Sequence, residues 1–371
     1  MINLVVTGGG EGTYKNLYPV TQCKNPDLKM KIHTIIDIVP KEKLHHLTQK
    51  ILEKENISYI RAENLSKKIS FPTNSAAVII TPNSSHLWYT EFFTSLGIPV
   101  YVEKPVAVSI NDLNKFLELS MKFPRLIYAA EYCVEGKAFS LLTATGCINE
   151  NDQHNNYLQH SDGDWRASFI QNLGPIKNIQ GKLLEGEGPG GTAEHKAWLL
   201  DGKQGGMIRD LASHLFGPLY DIGFANADVL NPKVILGKYE KHLPLGKFRP
   251  LQSRDEGETY ARIEGNFITP AGAAHFTFEI GKYWPKHDRK LKIECKNGEI
   301  SLNYEKPFQL TIQSDNGTQY SNIITAEQYA LLAFLDFKQF LTGKTHGKIG
   351  RAAAIVKFNE TMRNCGLKET G

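Results

Sequence analysis

The sequence predicts an α/β domain with a doubly wound parallel sheet, followed by an α+β domain on a large, mostly antiparallel open sheet with helices on one face. Three observations carry this reading. Over residues 1–130 short apolar runs alternate with helical stretches, the rhythm of parallel strands joined by crossover helices. The first run stops at a glycine-rich turn, Gly8-Gly9-Gly10-Glu11-Gly12-Thr13, where such sheets bind ligands. Beyond residue 176 several runs alternate with period 2, as half-buried strands do. At 371 residues the chain is too long for one ordinary core. The division expected is 1–130 and 131–371, with the terminal helices free to pack back on the first domain.

Composition narrows the class. Apolar residues make up 41% and charged residues 22%, the profile of a soluble globular protein. A net charge of +4, spread among acids, gives no electrostatic case for nucleic acid or a membrane surface as partner. No apolar run approaches membrane-spanning length. The chain enters a strand at Ile2 without a basic leader, so no signal peptide is expected. Cys23, Cys133, Cys147, Cys295 and Cys365 are odd in number and far apart. They fit no zinc or redox spacing and point to a reducing compartment, so the location expected is cytoplasmic and no metal is expected.

Residues 2–7 form the first strand. The glycines after it permit a tight turn and close approach to a diphosphate, whose charge suits the amino end of the helix that follows. Gly8-x-Gly10 has dinucleotide spacing, but Gly12 is shifted and Thr13 stands where the last glycine would fall. Ile32–Ile36 is a second strand ended by Asp37, a carboxylate able to accept from ribose hydroxyls or to cap a helix. The gap from Gly8 to Asp37 exceeds the usual ~20 residues, which places an insertion around Tyr14–Lys24. Leu44, Leu47 and Ile51 make the apolar stripe of a helix within Lys41–Glu55, with His45 and His46 on its wet side. Ile57–Arg61 is a third strand. Ala76–Ile80, which does not alternate, is a fourth strand buried on both faces. Thr81-Pro82-Asn83-Ser84-Ser85-His86 leads into a helix to Leu96, and Gly97 precedes a strand over Ile98–Val102. That strand ends in Glu103-Lys104-Pro105, which delivers a lysine to the crevice at the strands' carboxyl ends. Leu126–Glu131 closes the sheet, with Glu131 and Tyr132 emerging at its carboxyl end.

In the second domain Gly205-Gly206 leads into Met207-Ile208-Arg209-Asp210-Leu211-Ala212-Ser213-His214. On a helix, Asp210 and His214 lie one turn apart on one face, as an ion pair on a surface helix or as a working pair. Strand character runs through Ile176–Leu184, Val234–Tyr239, Tyr260–Ile268, Ala273–Ile280, Leu291–Cys295 and Glu299–Tyr304, with Asn297-Gly298 as a hairpin turn. Helices are expected over Ala326–Leu341 and Arg351–Cys365. Gly188-Pro189-Gly190-Gly191-Thr192 is a loop that could line a substrate mouth or be a plain turn.

Together, Thr81-Pro82-Asn83, His86 and Glu103-Lys104-Pro105 resemble the glucose–fructose oxidoreductase / inositol dehydrogenase family (Gfo/Idh/MocA). The second-domain pattern is similar to that family's Gly-Gly lead-in followed by Asp-x-x-x-His, at Asp210 and His214. The resemblance implies a Rossmann domain whose cofactor lies along Gly8, Gly10, Gly12, Thr13, Asp37, Thr81, Pro82, Asn83, His86, Glu103 and Lys104. It implies hydride transfer between nicotinamide and a sugar, amino sugar or cyclitol, and a homodimer or homotetramer built on the large sheet. Glu135-Gly136-Lys137 also resembles a substrate-holding Gly-Lys element of the glucose-6-phosphate dehydrogenases, the other reading being a surface lysine at a helix start. Substrate contacts would come from Glu131, Tyr132, Lys137 and Arg166, the last two suiting acidic or phosphorylated substrates.

The chemistry expected is alcohol oxidation or ketone reduction, which needs a group to take or give the hydroxyl proton. His214 fits, since imidazole changes charge between about pH 5 and 8. Lys104 would stabilise negative charge on the reacting oxygen and Asp210 would orient His214; Lys104 as the proton donor stays open. Asp37 repels a 2′-phosphate, so NAD is preferred, while Lys41 and Lys43 keep NADP open. Three other readings stand beside this one: a non-catalytic dinucleotide sensor, a glycosidase using bound NAD for transient oxidation, and a Rossmann protein for another nucleotide.

Overall fold

The computed structural model describes residues 1–23, 28–130, 173–186, 197–224, 228–269, 272–305, 308–315, 319–324 and 326–369. Contacts divide the chain into two units, Met1–Tyr132 with Glu327–Ala353, and Cys133–Ala326 with Ala354–Gly371.

The first unit holds six parallel strands, β1 (Ile2–Thr7), β2 (Met30–Asp37), β3 (Ser58–Arg61), β4 (Ser75–Ile79), β5 (Val100–Glu103) and β6 (Ile127–Ala130). Their order, β3-β2-β1-β4-β5-β6, reverses direction between β1 and β4. Such a switch point opens a crevice at the carboxyl ends of the strands, which is where this fold receives ligands. Leu4, Val5, Val6, Ile35, Ile36 and Ala77–Ile79 are buried, as the unbroken apolar runs predict for a sheet covered on both faces.

The crossovers are α1 (Tyr18–Thr21), α2 (His46–Lys54), α3 (His86–Ser95) and α4 (Ile110–Lys122). The first is irregular: a π-helical turn over Gly12–Leu17 precedes the four-residue α1, so no long helix follows the glycine turn. The stripe read for the next helix needs correction. Pro40 opens a 3-10 turn over Lys41–Lys43, and Leu44 is extended and buried outside the helix. His45 then caps α2, its Nδ1 accepting from Leu47 N at 3.3 Å, and Leu47 is 39% exposed. The buried face is Thr48, Ile51 and Leu52.

The outer edge of this sheet is covered by residues after α6 (Ala326–Leu341, introduced here ahead of α5). Ala129 N donates to Gly347 O at 2.8 Å, and a Cβ on Gly347 would lie 2.0 Å from Ile127 O, so glycine is required there. Tyr101, Tyr128, Phe334 and Phe337 cluster beneath, and Tyr128 donates to Asp336 at 2.6 Å.

The second unit is built on nine described strands: β7 (Ile176–Leu184), β8 (Asp228–Lys238), β9 (Arg249–Pro250), β10 (Tyr260–Thr269), β11 (Gly272–Gly281), β12 (Asp288–Cys295), β13 (Gly298–Asn303), β14 (Phe308–Ser314) and β15 (Gln319–Ile324). Their order is β15-β14-β13-β12-β7-β11-β10-β8-β9, antiparallel throughout except for the parallel pair β7 and β11. The six expected strands are present, and β9, β14 and β15 are additional. The turn between β12 and β13 is Lys296-Asn297, one residue earlier than expected, because Gly298 pairs with Cys295 inside the ladder. One face of the sheet packs on α5 (Met207–Leu219) and on the later part of α7 (Ile349–Glu369), where Phe216, Phe267, Phe276 and Phe358 meet. The other face is polar, laced by cross-strand pairs such as Lys182–Glu279 and Lys292–Glu299. No helix among the described residues is long and apolar enough to cross a membrane.

Candidate active site

In the first unit the predicted cofactor residues gather at the switch point. Gly8 has φ +99°, and a Cβ there would lie 2.8 Å from Ile80 O, so only glycine lets β1 and β4 end this close. The turn is fastened from three sides. Thr13, fully buried, donates its hydroxyl to Gly8 O at 2.5 Å. Asp37 accepts from Gly9 N at 2.6 Å through one oxygen and from Val39 N at 3.0 Å through the other. Thr48, on the buried face of α2, donates to Gly9 O at 2.7 Å. Gly10, by contrast, is exposed, with nothing within 4 Å of where a Cβ would stand. The result is a backbone cradle fastened from behind by hydrogen bonds and open in front, which fits the diphosphate of a dinucleotide. Asp37 thus latches the glycine turn.

Across the switch point, Thr81 accepts a hydroxyl hydrogen bond from Ser85 at 2.7 Å and Asn83 is buried. His86 opens α3 with its ring 1% exposed. Its Nε2 faces Thr81 O at 2.8 Å and its Nδ1 faces Pro105 O at 3.1 Å. A neutral imidazole has one N–H and donates to only one of them. Burial nevertheless holds the ring's pKa below the ordinary histidine value, against the pull of the two carbonyls. His86 therefore ties the Thr81-Pro82 turn to the Glu103-Lys104-Pro105 turn. The Lys104–Pro105 peptide is cis, and Lys104 and Glu103 are half-buried. Burial raises the Glu103 pKa; the Lys104 charge and hydrogen bonds from Lys104 backbone and Tyr101 oppose it.

In the second unit Asp210 and His214 lie on α5, and the helix is not a surface helix. Its other eleven residues are buried, leaving Asp210 and His214 as its accessible stripe. Such a helix must bury its polar amino end, and the sequence supplies a carboxylate for it. Met207 N donates to Glu258 O at 3.0 Å and Ile208 N to Glu258 Oε1 at 3.1 Å. Gly206 has φ +101°, and a Cβ there would stand 2.3 Å from that carboxylate. A Cβ on Gly205 would stand 2.2 Å from Trp198 O, so the Gly-Gly lead-in is steric necessity. Arg363 donates to Glu258 at 3.0 Å. Arg209 grips Glu360 with two hydrogen bonds, at 2.6 and 2.9 Å, and also reaches Gly202 O and Gly205 O. Further along, Tyr304 donates to His214 O at 2.5 Å. Glu258, Arg209, Glu360, Arg363 and Tyr304 were not singled out in the sequence. Arg209 stood beside the motif, but its partners lie up to 151 residues away and carry no local signal.

Glu131, Tyr132, Lys137, Arg166 and the Gly188–Thr192 loop lie outside the described residues. No group of three His, Cys, Asp or Glu suited to a metal occurs among the described residues.

Residues 2–129 match the model of a family described as an oxidoreductase family with an NAD-binding Rossmann fold. No curated protein sequence matches the chain. Among solved structures, a levoglucosan dehydrogenase in complex with NADH and levoglucosan is 14% identical, covering 99% of this chain and 98% of that one, with a TM-score of 0.70. An aldose-aldose oxidoreductase from Caulobacter crescentus, complexed with glycerol, is 13% identical with the same coverage and a TM-score of 0.69. A myo-inositol 2-dehydrogenase from Lactobacillus plantarum is 12% identical, covering 99% and 98%, with a TM-score of 0.65. At these identities the likeness to the solved structures is one of fold.

Proposed function

From the premise that residues 2–129 belong to the Gfo/Idh/MocA family of NAD-binding oxidoreductases, we propose that this chain moves hydride between a nicotinamide cofactor and a secondary alcohol or ketone of a sugar, amino sugar or cyclitol. The observation that carries the proposal is the accessible stripe of α5: a helix buried everywhere else exposes an acid and an imidazole one turn apart.

The chain's residues divide the work. Gly8–Thr13 cradle the diphosphate, Asp37 accepts from the adenosine ribose, and Thr81, Pro82 and Asn83 lie along the cofactor, with His86 holding their turn in place. Bound NAD supplies the hydride acceptor. His214 takes the hydroxyl proton as the carbon loses hydride, and returns it in the reverse direction. Asp210, one turn before it, orients the ring. Lys104 donates a hydrogen bond to the reacting oxygen and offsets its developing charge. NAD is the preferred cofactor because Asp37 would repel a 2′-phosphate. The working form is a homodimer or homotetramer, to be checked by sedimentation.

The test is near-ultraviolet absorbance of reduced nicotinamide, with NAD and NADP separately, over sugars, cyclitols and keto-sugars, beside Lys104→Ala. Turnover that the variant loses by about 10²–10³-fold while still binding cofactor supports the assignment. Sugar released without net reduction of NAD would instead place the chain among redox-assisted glycosidases.

A further inference from the structure

Three adjacent strands of the second unit end in charged residues that the hydride reading does not use. Glu185 follows the last residue of β7, Lys282 follows the last residue of β11, and Arg289 is the second residue of β12. The register brings them together: Leu184 pairs with Gly281 and with Asp288, and Leu183 with Arg289. They also share a side. A Cβ on Gly181 would meet Leu215 of α5, so Gly181, Leu183 and Glu185 face the helix-covered side, as does Arg289 opposite Leu183. Lys282, two residues past the buried Ile280, faces that side as well.

This end of the sheet is also where α5 begins. Glu258 O receives Met207 N, and the next residue, Thr259, receives Lys282 N at 2.9 Å. Tyr304 makes the second link: its N–H donates to Arg289 O at 2.9 Å and its hydroxyl to His214 O. The three charges therefore border the helix that carries Asp210 and His214.

The pairing of Arg289 is incomplete. Lys282 forms an ion pair with one Glu185 oxygen, and Arg289 Nη2 stands 3.7 Å from the other, so one carboxylate serves two cations. Arg289 Nε is buried and has no hydrogen-bond partner among the described residues. Arg209, Arg249 and Arg363 differ: each donates to a carboxylate within 3.0 Å. An unfilled buried donor is costly, and a guanidinium is filled best by a planar carboxylate. Side-chain exposure rises from 6% at Lys282 to 14% at Glu185 and 23% at Arg289, so the guanidinium of Arg289 is the most accessible charge of the three.

We propose that Arg289, with Lys282 and Glu185 behind it, binds a carboxylate, and that the substrate of the reaction proposed above is a sugar acid. A planar carboxylate suits the guanidinium fork, while a phosphate dianion would be opposed by Glu185.

The experiment is calorimetric titration of the NAD-loaded protein with matched pairs: hexuronates and aldonates against the neutral hexoses and alditols, with hexose 6-phosphates as a third set. At least one sugar acid is expected to bind about tenfold or more tighter than its neutral partner. Arg289→Gln should erase that preference, and Arg289→Lys should keep part of it, since charge remains and the fork is lost. Both variants should match wild type in NAD affinity and melting temperature, which separates lost recognition from lost folding. Equal binding within every pair, preference for the phosphates, an unchanged preference in Arg289→Gln, or no acid bound at all would each overturn the proposal. The subsite rests on the hydride reading only for its reaction, and the two fail differently. Acids that bind but never reduce NAD would sink the hydride reading, while turnover confined to neutral sugars would sink the subsite.

Discussion

The two units hold their functional side chains in different ways. In the first, the residues sit on turns at strand ends, and hydrogen bonds with neighbouring elements fix them: Gly9 N donates to Asp37, Thr48 to Gly9 O, and His86 to one of Thr81 O and Pro105 O, which flank its ring. In the second, they sit on a buried helix fastened by two ion pairs, Arg209–Glu360 and Arg363–Glu258, whose members are 151 and 105 residues apart. A turn held by single hydrogen bonds can adjust to a ligand at a cost of about 1 kcal/mol per bond. A helix end held by buried charge pairs cannot, since leaving one charge unpaired costs about 3–5 kcal/mol. On the function proposed above, the first unit would receive the cofactor and the second would keep the proton-transfer group in place.

The sharpest test of that contrast asks which unit holds the proton. His214→Asn should lower kcat by about 10²–10⁴-fold, as loss of a general acid–base does, with NAD affinity unchanged. If His214→Asn keeps its turnover while Lys104→Ala loses it, proton transfer belongs to the first unit and the helix is scaffolding. Next in size is the anchor itself. Glu258→Gln leaves Arg363 buried without its counter-charge and should destabilise the protein by about 3–5 kcal/mol in urea unfolding. A loss below about 1 kcal/mol would show that the helix end is as adjustable as a turn.

The corresponding change in the first unit should be milder and should read out in binding. Asp37→Ala removes a charged acceptor from the buried Gly9 N–H, worth about 1.5–3 kcal/mol, so NAD affinity should fall about 10–100-fold. Discrimination against NADP should fall with it, because the repelling carboxylate is gone. An Asp37→Ala protein that binds NAD normally would mean the glycine turn needs no latch.

The same contrast explains what could be read from the sequence. The glycine turn, Asp37, Thr81-Pro82 and Glu103-Lys104-Pro105 are local patterns, and their partners lie on the next strand end of a repeating unit. The strand rhythm was therefore legible, and so was the gathering of these residues at the strand ends. Asp210 and His214 were legible as a spacing, and Gly205-Gly206 as a lead-in, but not the reason for them. Whether an i, i+4 pair lies on a surface helix or a buried one depends on what covers the remaining faces, and here that is the sheet with Phe358 and the partners of Arg209 and Arg363. Leu47 failed in the opposite direction: the apolar spacing was there, but Pro40 delayed the helix, left Leu44 outside it and turned Leu47 outward.

The smallest expected effects are in the pH dependence of stability, where the units should respond with opposite sign. Beside the α5 lead-in, Glu256 is drawn down to about 2, chiefly by its hydrogen bonds from Arg249. A depressed folded pKa gives stability that is fully present above the unfolded value near 4.5 and is lost as pH falls towards 2. Glu103, in the first unit, is raised above 4.5 by burial, so its contribution is present below that value and is lost as pH rises through the folded pKa. Urea midpoints followed from pH 2 upward should therefore lose their acid-side slope in Glu256→Gln and part of the slope above 4.5 in Glu103→Gln. Profiles that stay parallel to wild type in Glu103→Gln would mean that the Lys104 charge cancels the burial of its neighbour. The Glu-Lys-Pro turn would then be an ion pair at rest, held by charge like the second unit's helix, and the division between the two modes of positioning would not hold at Lys104.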